Sequence, residues 1–373
     1  MPVGKNVSSI VIASLSICFA QQWTPPQAGW VYVLDVGAAK GGQVLLVDPT
    51  SGKVKGTIQT GYHPNFGFCS DGARLYISDG PQSAGNLSIY DTQTGRAVRR
   101  VPLTDRAVYT VRPSLPSVAC SADGKWIFIQ IMKTLSPGVD RHTLLVIDSA
   151  TGDTVAEPLP LPHCGIAQFI AWPFGGWDAA VRCSNSVHLV KLNATGQLEK
   201  TGDVSLAWSP DTTPEGTAVS PALRITTATV TDVKNRTVAV IRGAGGIDWM
   251  RADTLALQPA VPDKWQRFFP VGGSVISPDS GFIYGGSVPI GNRTDAGGYM
   301  TSIVVLRAQD MAQTGEIDAM TPFASLAISP DGLTLYTANT EARSITVIDT
   351  STMRTVKTIP GIGEFPALIL VQP

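Results

Sequence analysis

The stretch from Phe323 to Asp349, FASLAISPDGLTLYTANTEARSITVID, reads as three short strands. Ala324–Ser329 runs into the turn Pro330-Asp331-Gly332, Leu333–Ala338 runs back, and a short link leads into Ser344–Asp349. Apolar and polar residues roughly alternate, as expected where successive side chains point to opposite faces. The turn carries what a tight reversal needs: Pro presets φ, Asp bonds nearby backbone, and Gly takes a left-handed conformation at no steric cost. Thr355–Ile359 follows Thr350-Ser351-Thr352 as a fourth strand. Four antiparallel strands joined by tight turns form one small sheet.

The rest of the chain repeats this sheet in degraded form. The ending Val347-Ile348-Asp349 recurs as Leu46-Val47-Asp48, Ile89-Tyr90-Asp91 and Val146-Ile147-Asp148, and more loosely at Leu192-Asn193, Met250-Arg251 and Leu306-Arg307. Successive marks lie 42 to 58 residues apart. The first turn recurs as Asp71-Gly72, Asp123-Gly124, Asp279-Ser280-Gly281 and Asp331-Gly332. A Ser-Gly or Thr-Gly pair follows several third strands, at Ser51-Gly52, Thr94-Gly95, Thr151-Gly152, Thr195-Gly196 and Thr314-Gly315. Four strands repeated at this period mark a β-propeller, whereas a β-sandwich has no such fixed period. The seven marks predict an all-β, seven-bladed β-propeller.

Ring closure is also legible. Trp30–Asp35, Gln43–Asp48 and Val54–Ile58 supply only three strands for blade one, and the chain ends on the apolar Pro366–Val371. This C-terminal strand is expected to pair into blade one, tying the termini together and removing an open sheet edge. Composition agrees: of 373 residues, 43% are hydrophobic and 15% charged, with 37 Gly and 27 Pro, which suits many short strands and turns. A ring tolerates this length as a single domain because each blade buries its faces against its neighbours. The net charge is −1 and no Lys/Arg cluster stands out, which argues against nucleic acid as a partner.

Residues 1–20 read as a secretory signal: one Lys among the first residues, the apolar run Val7–Ala20, and a small residue at the expected cut. The run falls short of the roughly 20 apolar residues that span a bilayer. Residues 21–373 are then one exported propeller domain, periplasmic or secreted, with no membrane span after cleavage. Cys18 does not suit a lipoprotein signal, because the bulky Ile17 precedes it. Cys69 and Cys120 each sit in an apolar inner strand just before an Asp-Gly turn and read as buried free thiols, although the sequence leaves a bridge between them open. Cys164 and Cys183 are placed on the first and second strands of blade four, where antiparallel neighbours can face each other. In an exported chain a disulfide is expected there, with two unpaired core thiols as the alternative.

Chemistry is sparse. His63, His142, His163 and His188 are scattered over blades two to four, and no zinc spacing, covalent-haem motif, nucleophile elbow, P-loop or EF-hand loop occurs. The Gly-rich Gly291–Gly298 lacks the strand-to-helix setting of a phosphate cradle and reads as a long connection. Asp263–Phe269 mixes aromatic and charged residues in a predicted loop, as either a ligand surface or a rim. These residues alone describe a scaffold or binding module. A propeller lactonase would need acidic and basic side chains converging on the channel.

The order of features resembles the heavy, β-propeller subunit of methylamine dehydrogenase and related amine dehydrogenases, within the broader YVTN-type propellers. Trp30–Asp35, Gly61-Tyr62-His63-Pro64-Asn65, Leu103 to Arg112 with Pro116-Ser117 and Ser121–Lys125, Pro162-His163-Cys164 through Arg182-Cys183, and Phe365-Pro366 carry the likeness. The resemblance implies a non-catalytic subunit of a periplasmic quinoprotein, with no catalytic residue, metal or cofactor on this chain. The tryptophan tryptophylquinone would sit on a small light subunit, with a heterotetramer among the assemblies implied and a copper protein or cytochrome as electron acceptor. Cys164 and Cys183 match the family's intrablade pair, and Tyr62 falls where the family has a channel-lining aromatic. Two departures stand out: only about ten residues separate the expected cut from Trp30, where the family has a long arm, and Cys69 and Cys120 lie outside the family pattern. The alternative is a stand-alone exported propeller that acts as a binding scaffold.

Overall fold

A computed structural model describes residues 23–37, 41–62, 64–69, 71–79, 85–103, 106–107, 118–136, 139–155, 159–161, 168–170, 172–183, 186–205, 228–242, 246–261, 267–268, 273–289 and 300–373. The signal segment, Gly291–Gly298 and most of Asp263–Phe269 fall outside them.

Seven antiparallel sheets form a ring. Blade one holds β1 (Val31–Asp35), β2 (Gln43–Asp48), β3 (Lys53–Gln59) and the C-terminal β30 (Pro366–Val371), in the order β3-β2-β1-β30. The predicted closure is thus observed, with Val33 opposite Ile369. Blade two is β4 (Asn65–Phe68), β5 (Arg74–Asp79), β6 (Asn86–Asp91) and β7 (Ala97–Pro102). Blade three has two short pieces, β8 (Arg106–Ala107) and β9 (Val118–Cys120), on the long β10 (Trp126–Ser136), then β11 (Val139–Asp148) and β12 (Leu159–Pro160). Blade four is β13 (Gln168–Ile170), β14 (Ala179–Arg182), β15 (Ser186–Leu192) and β16 (Leu198–Ser205). Blade five is β17 (Ala228–Asp232), β18 (Thr237–Arg242), β19 (Gly246–Arg251) and β20 (Leu257–Val261). Blade six again divides its inner position, between β21 (Arg267–Phe268) and β22 (Ser274–Ile276), before β23 (Phe282–Pro289), β24 (Met300–Arg307) and β25 (Gln313–Phe323). Blade seven is β26 (Ser325–Ile328), β27 (Thr334–Asn339), β28 (Ser344–Asp349) and β29 (Arg354–Pro360). None of the described residues forms a helix long and apolar enough to cross a membrane.

All seven sequence marks fall at or just beyond the end of a third strand: Asp48, Asp91, Asp148, Asn193, Arg251, Arg307 and Asp349. The reason is turn chemistry. Asp48, Asp91, Asp148 and Asp349 accept hydrogen bonds from the amides of Thr50, Thr94, Thr151 and Thr352 in the turn that follows. Where the mark is basic, the roles reverse: Arg251 binds Asp253, and Arg307 binds Asp310, within the same turn. In blades one, two, four, six and seven a register shift precedes the mark by one or two residues, a bulge that recurs with it. The left-handed residue closing this turn is Gly52, Gly95 and Gly152 in blades one to three, but Leu255, Met311 and Met353 in blades five to seven. Those three side chains pack into or against the seams and fill space themselves.

The core is one apolar cluster per seam between blades. Val31 and Val33 face blade seven, while Tyr32 and Leu34 face blade two. Strands buried on both faces need apolar residues throughout, which explains why the alternation in the sequence is only rough. The outermost strands, such as β7, are mostly exposed.

One expectation is overturned. Cys69 and Cys120 are joined in a disulfide, with Cα atoms 5.0 Å apart. Cys69 directly follows β4 and Cys120 ends β9, the inner strands of adjacent blades, so stacking two blades brings them together across 51 residues of sequence. Cys183 is also disulfide-bonded, and its expected partner Cys164 lies outside the described residues.

Candidate functional site

Tyr62 lies on the link from β3 to β4, on the face where second strands end, and it is 52% exposed. The backbone beneath it is held tightly. Thr60 donates to the Gly42 carbonyl at 2.9 Å, and Gly42 donates to the Gly61 carbonyl at 3.0 Å. Gly61 in turn donates to the buried carboxylate of Asp79, at the end of β5, at 2.8 Å. A Cβ at Gly61 would lie 2.8 Å from the Asp79 carboxyl carbon, so the close approach requires glycine. The result is an exposed aromatic on a backbone fastened to both neighbouring blades. His63, beside it, lies outside the described residues.

Asp35 plays the matching part where the ring closes. It ends β1, is buried, and accepts from Glu364 at 3.0 Å, Phe365 at 2.6 Å and the Gln43 amide at 2.8 Å. Neither Asp35 nor Asp79 is singled out by the sequence reading. The available signal was an acid ending an otherwise apolar second strand, because such a buried carboxylate needs donors close by.

A second arrangement was also missed. On blade four the Ser186 hydroxyl meets His188 Nε2 at 3.1 Å, and His188 Nδ1 meets Asp203. The order has the connectivity of a hydrolase triad. Its setting differs: the Asp203 side chain is 66% exposed on the outermost strand, where water competes for it. His142, on blade three, lies 3.3 Å from the Gln130 amide.

Two cavities stand out on the opposite face. One of about 660 Å³ opens where β30, β4, β9 and β13 end, bordered by Phe68, the Cys69–Cys120 bridge and Trp172. It is mostly apolar, and the one acidic side chain in its wall, Asp178, is bound to Lys191 and the Leu192 amide. No acid–base pair of the lactonase kind converges there among the described residues. The other, of about 900 Å³, lies between blades five and six, with Trp249 and the paired Arg251 and Arg307 in its walls. No metal-binding group of three or more His, Cys, Asp or Glu occurs among the described residues.

No protein-family model matches the chain, and a search of curated proteins finds no relative. Solved structures match the fold. A functionally unknown protein from Desulfotomaculum acetoxidans DSM 771 superposes with a TM-score of 0.66 at 13% identity, covering 92% of this chain and 99% of that one. A putative 6-phosphogluconolactonase from Bacteroides fragilis NCTC 9343 gives 0.62 at 13% identity, covering 92% and 98%. The dihydro-heme d1 dehydrogenase NirN, in complex with DHE, gives 0.56 at 14% identity, covering 91% of this chain; the match spans 65% of the NirN chain. At these identities the likeness is one of fold: the chain is a seven-bladed β-propeller.

Proposed function

We propose that the chain is the heavy-subunit-like propeller of a periplasmic quinoprotein amine dehydrogenase. In this reading it carries no catalytic residue. It binds a small light subunit bearing tryptophan tryptophylquinone, and Tyr62 walls the amine channel. The observation that carries the reading is the exposed Tyr62 ring on its fastened backbone, because a channel wall must keep its position to exclude water and size a substrate. The disulfide-bonded Cys183 is consistent with an intrablade bridge to Cys164. Export through the signal at residues 1–20 belongs to the same proposal.

The test is amine-dependent reduction of the native complex carrying Tyr62→Ala or Tyr62→Phe. The Ala variant is expected to lose about tenfold or more in kcat/KM, with altered preference for amine size, while Phe stays near wild type. Unchanged kinetics in the Ala variant would remove Tyr62 from the channel. The second reading is a stand-alone exported propeller that binds a partner without amine chemistry.

A further inference from the structure

Blades five and six break the repeat at the same place. The residue that ends the third strand is an aspartate in blades one, two, three and seven, where it caps its own turn, but it is Arg251 in blade five and Arg307 in blade six. Two residues earlier, blades one, two, three, six and seven carry the aliphatic Leu46, Ile89, Val146, Val305 and Val347, whereas blade five carries Trp249. All three departures, Arg251, Arg307 and Trp249, line the cavity of about 900 Å³ between these two blades. The turn itself does not call for arginine, because four other blades close it with aspartate.

The polar walls of this cavity hold unused hydrogen-bonding groups. Arg251 spends Nε and Nη2 on Asp253, which leaves Nη1. Arg307 spends Nη1 on Asp310, which leaves Nε and Nη2. Asp279 accepts from Ser277 and Gly281 on Oδ1, which leaves Oδ2. Asn235 gives its side-chain amide to Asp232, which leaves Oδ1. Donors and acceptors therefore stand together. The charges in the lining balance, Lys234, Arg251 and Arg307 against Asp232, Asp279 and Asp310. The apolar part of the wall is Trp249, Met311 and Phe282, which is 36% exposed.

These walls define the guest. Balanced charge favours neither an anion nor a cation. A wholly apolar guest would strip water from the open groups of Arg307 and Asp279 without replacing it. A saccharide fits both halves of the wall: each hydroxyl donates and accepts, and the C–H groups of a ring cover apolar surface. The volume lies near the upper end of small-ligand pockets, so a short chain of rings is accommodated.

We propose that the groove between blades five and six binds a short neutral oligosaccharide. Arg251 and Arg307 donate to its hydroxyls, Asp279 and Asn235 accept from them, and a C–H face of one ring lies on Phe282. The site is on the face opposite Tyr62 and does not depend on the amine dehydrogenase reading.

The experiment presents the full chain to an array of neutral, uronic-acid, sialylated and sulfated glycans, then titrates the best-retained neutral oligosaccharide by calorimetry. Wild type should retain neutral glycans and bind the titrated one saturably, with little dependence on salt. Arg307→Ala and Phe282→Ala should each weaken that binding about tenfold or more. Both should melt near wild type, because the Arg307 side chain is half exposed and Phe282 is partly so. An array that retains no glycan, or only charged ones, overturns the proposal, as do variants that bind like wild type. Should a variant fail to fold, the Gly281 amide resonance of wild type decides: a saturable shift with the titrated oligosaccharide supports the site, and an unmoved resonance refutes it.

Discussion

The Gly61 amide lies 2.8 Å from a carboxylate oxygen of Asp79, so the link carrying Tyr62 is fastened to the second strand of the blade it enters. Replacing Asp79 with Ala leaves the half-buried Gly61 amide without its acceptor. The expected cost is about 1.5–3 kcal/mol, with a smaller loss for Asp79→Asn, which keeps an acceptor. Denaturant unfolding measures the cost. Hydrogen exchange at Gly61 should accelerate in the Ala variant before global unfolding; unaltered protection would mean that Asp79 does not hold the link.

Asp35 does the same for the closing strand, through Glu364 and Phe365. Truncation after Phe365 removes β30 and exposes the inner edge of blade one. The truncated ring should lose cooperative unfolding and become protease-sensitive, and Asp35→Ala should move the same way to a lesser degree. A truncated chain that melts like wild type would show that closure contributes little.

The Cys69–Cys120 bridge staples blades two and three across 51 residues. A Cys69→Ala/Cys120→Ala double variant should lose about 4 kcal/mol, from the greater freedom of the unfolded chain. Calorimetry reads the loss, and a variant of wild-type stability would argue that the staple is dispensable.

Acid should loosen the turns. The Thr94 side chain holds the Asp91 pKa down, the Thr151 amide does so for Asp148, and the Ser329 hydroxyl for Asp331. Each folded-state pKa lies below its unfolded value. The stabilisation is therefore complete above the ordinary carboxylate range, near pH 4, and is lost as pH falls through the lowered values. Tm should be flat from neutral to about pH 5 and drop below about pH 4, less steeply in Asp331→Asn. Equal acid sensitivity in that variant would exclude Asp331 as a contributor.

Ser280 occupies, at φ 58°, the left-handed turn position that is glycine in three other blades (Gly72, Gly124 and Gly332). Ser280→Gly relieves a Cβ clash at some cost in unfolded-chain entropy, and a net gain of up to about 1 kcal/mol is expected. Thermal melts of the two proteins give the sign directly.

What was legible in the sequence was local. The marks at Asp48, Asp91, Asp148 and Asp349 could be counted because a third strand must end in a side chain that caps its turn, and β2, β28 and β30 carry the bounds read from sequence. What was not legible spans blades. Cys69 meets Cys120, and Gly61 meets Asp79, only once sheets stack or a link folds over the next strand. The His188–Asp203 contact needed the cross-strand register of β15 and β16.

The partner reading is tested most directly by the intact mass and visible spectrum of the protein purified from its native host. The account predicts a complex with a small second chain and a quinone band that bleaches when an amine is added. A colourless monomer, recovered where the protein is abundant, would contradict it and leave a binding propeller.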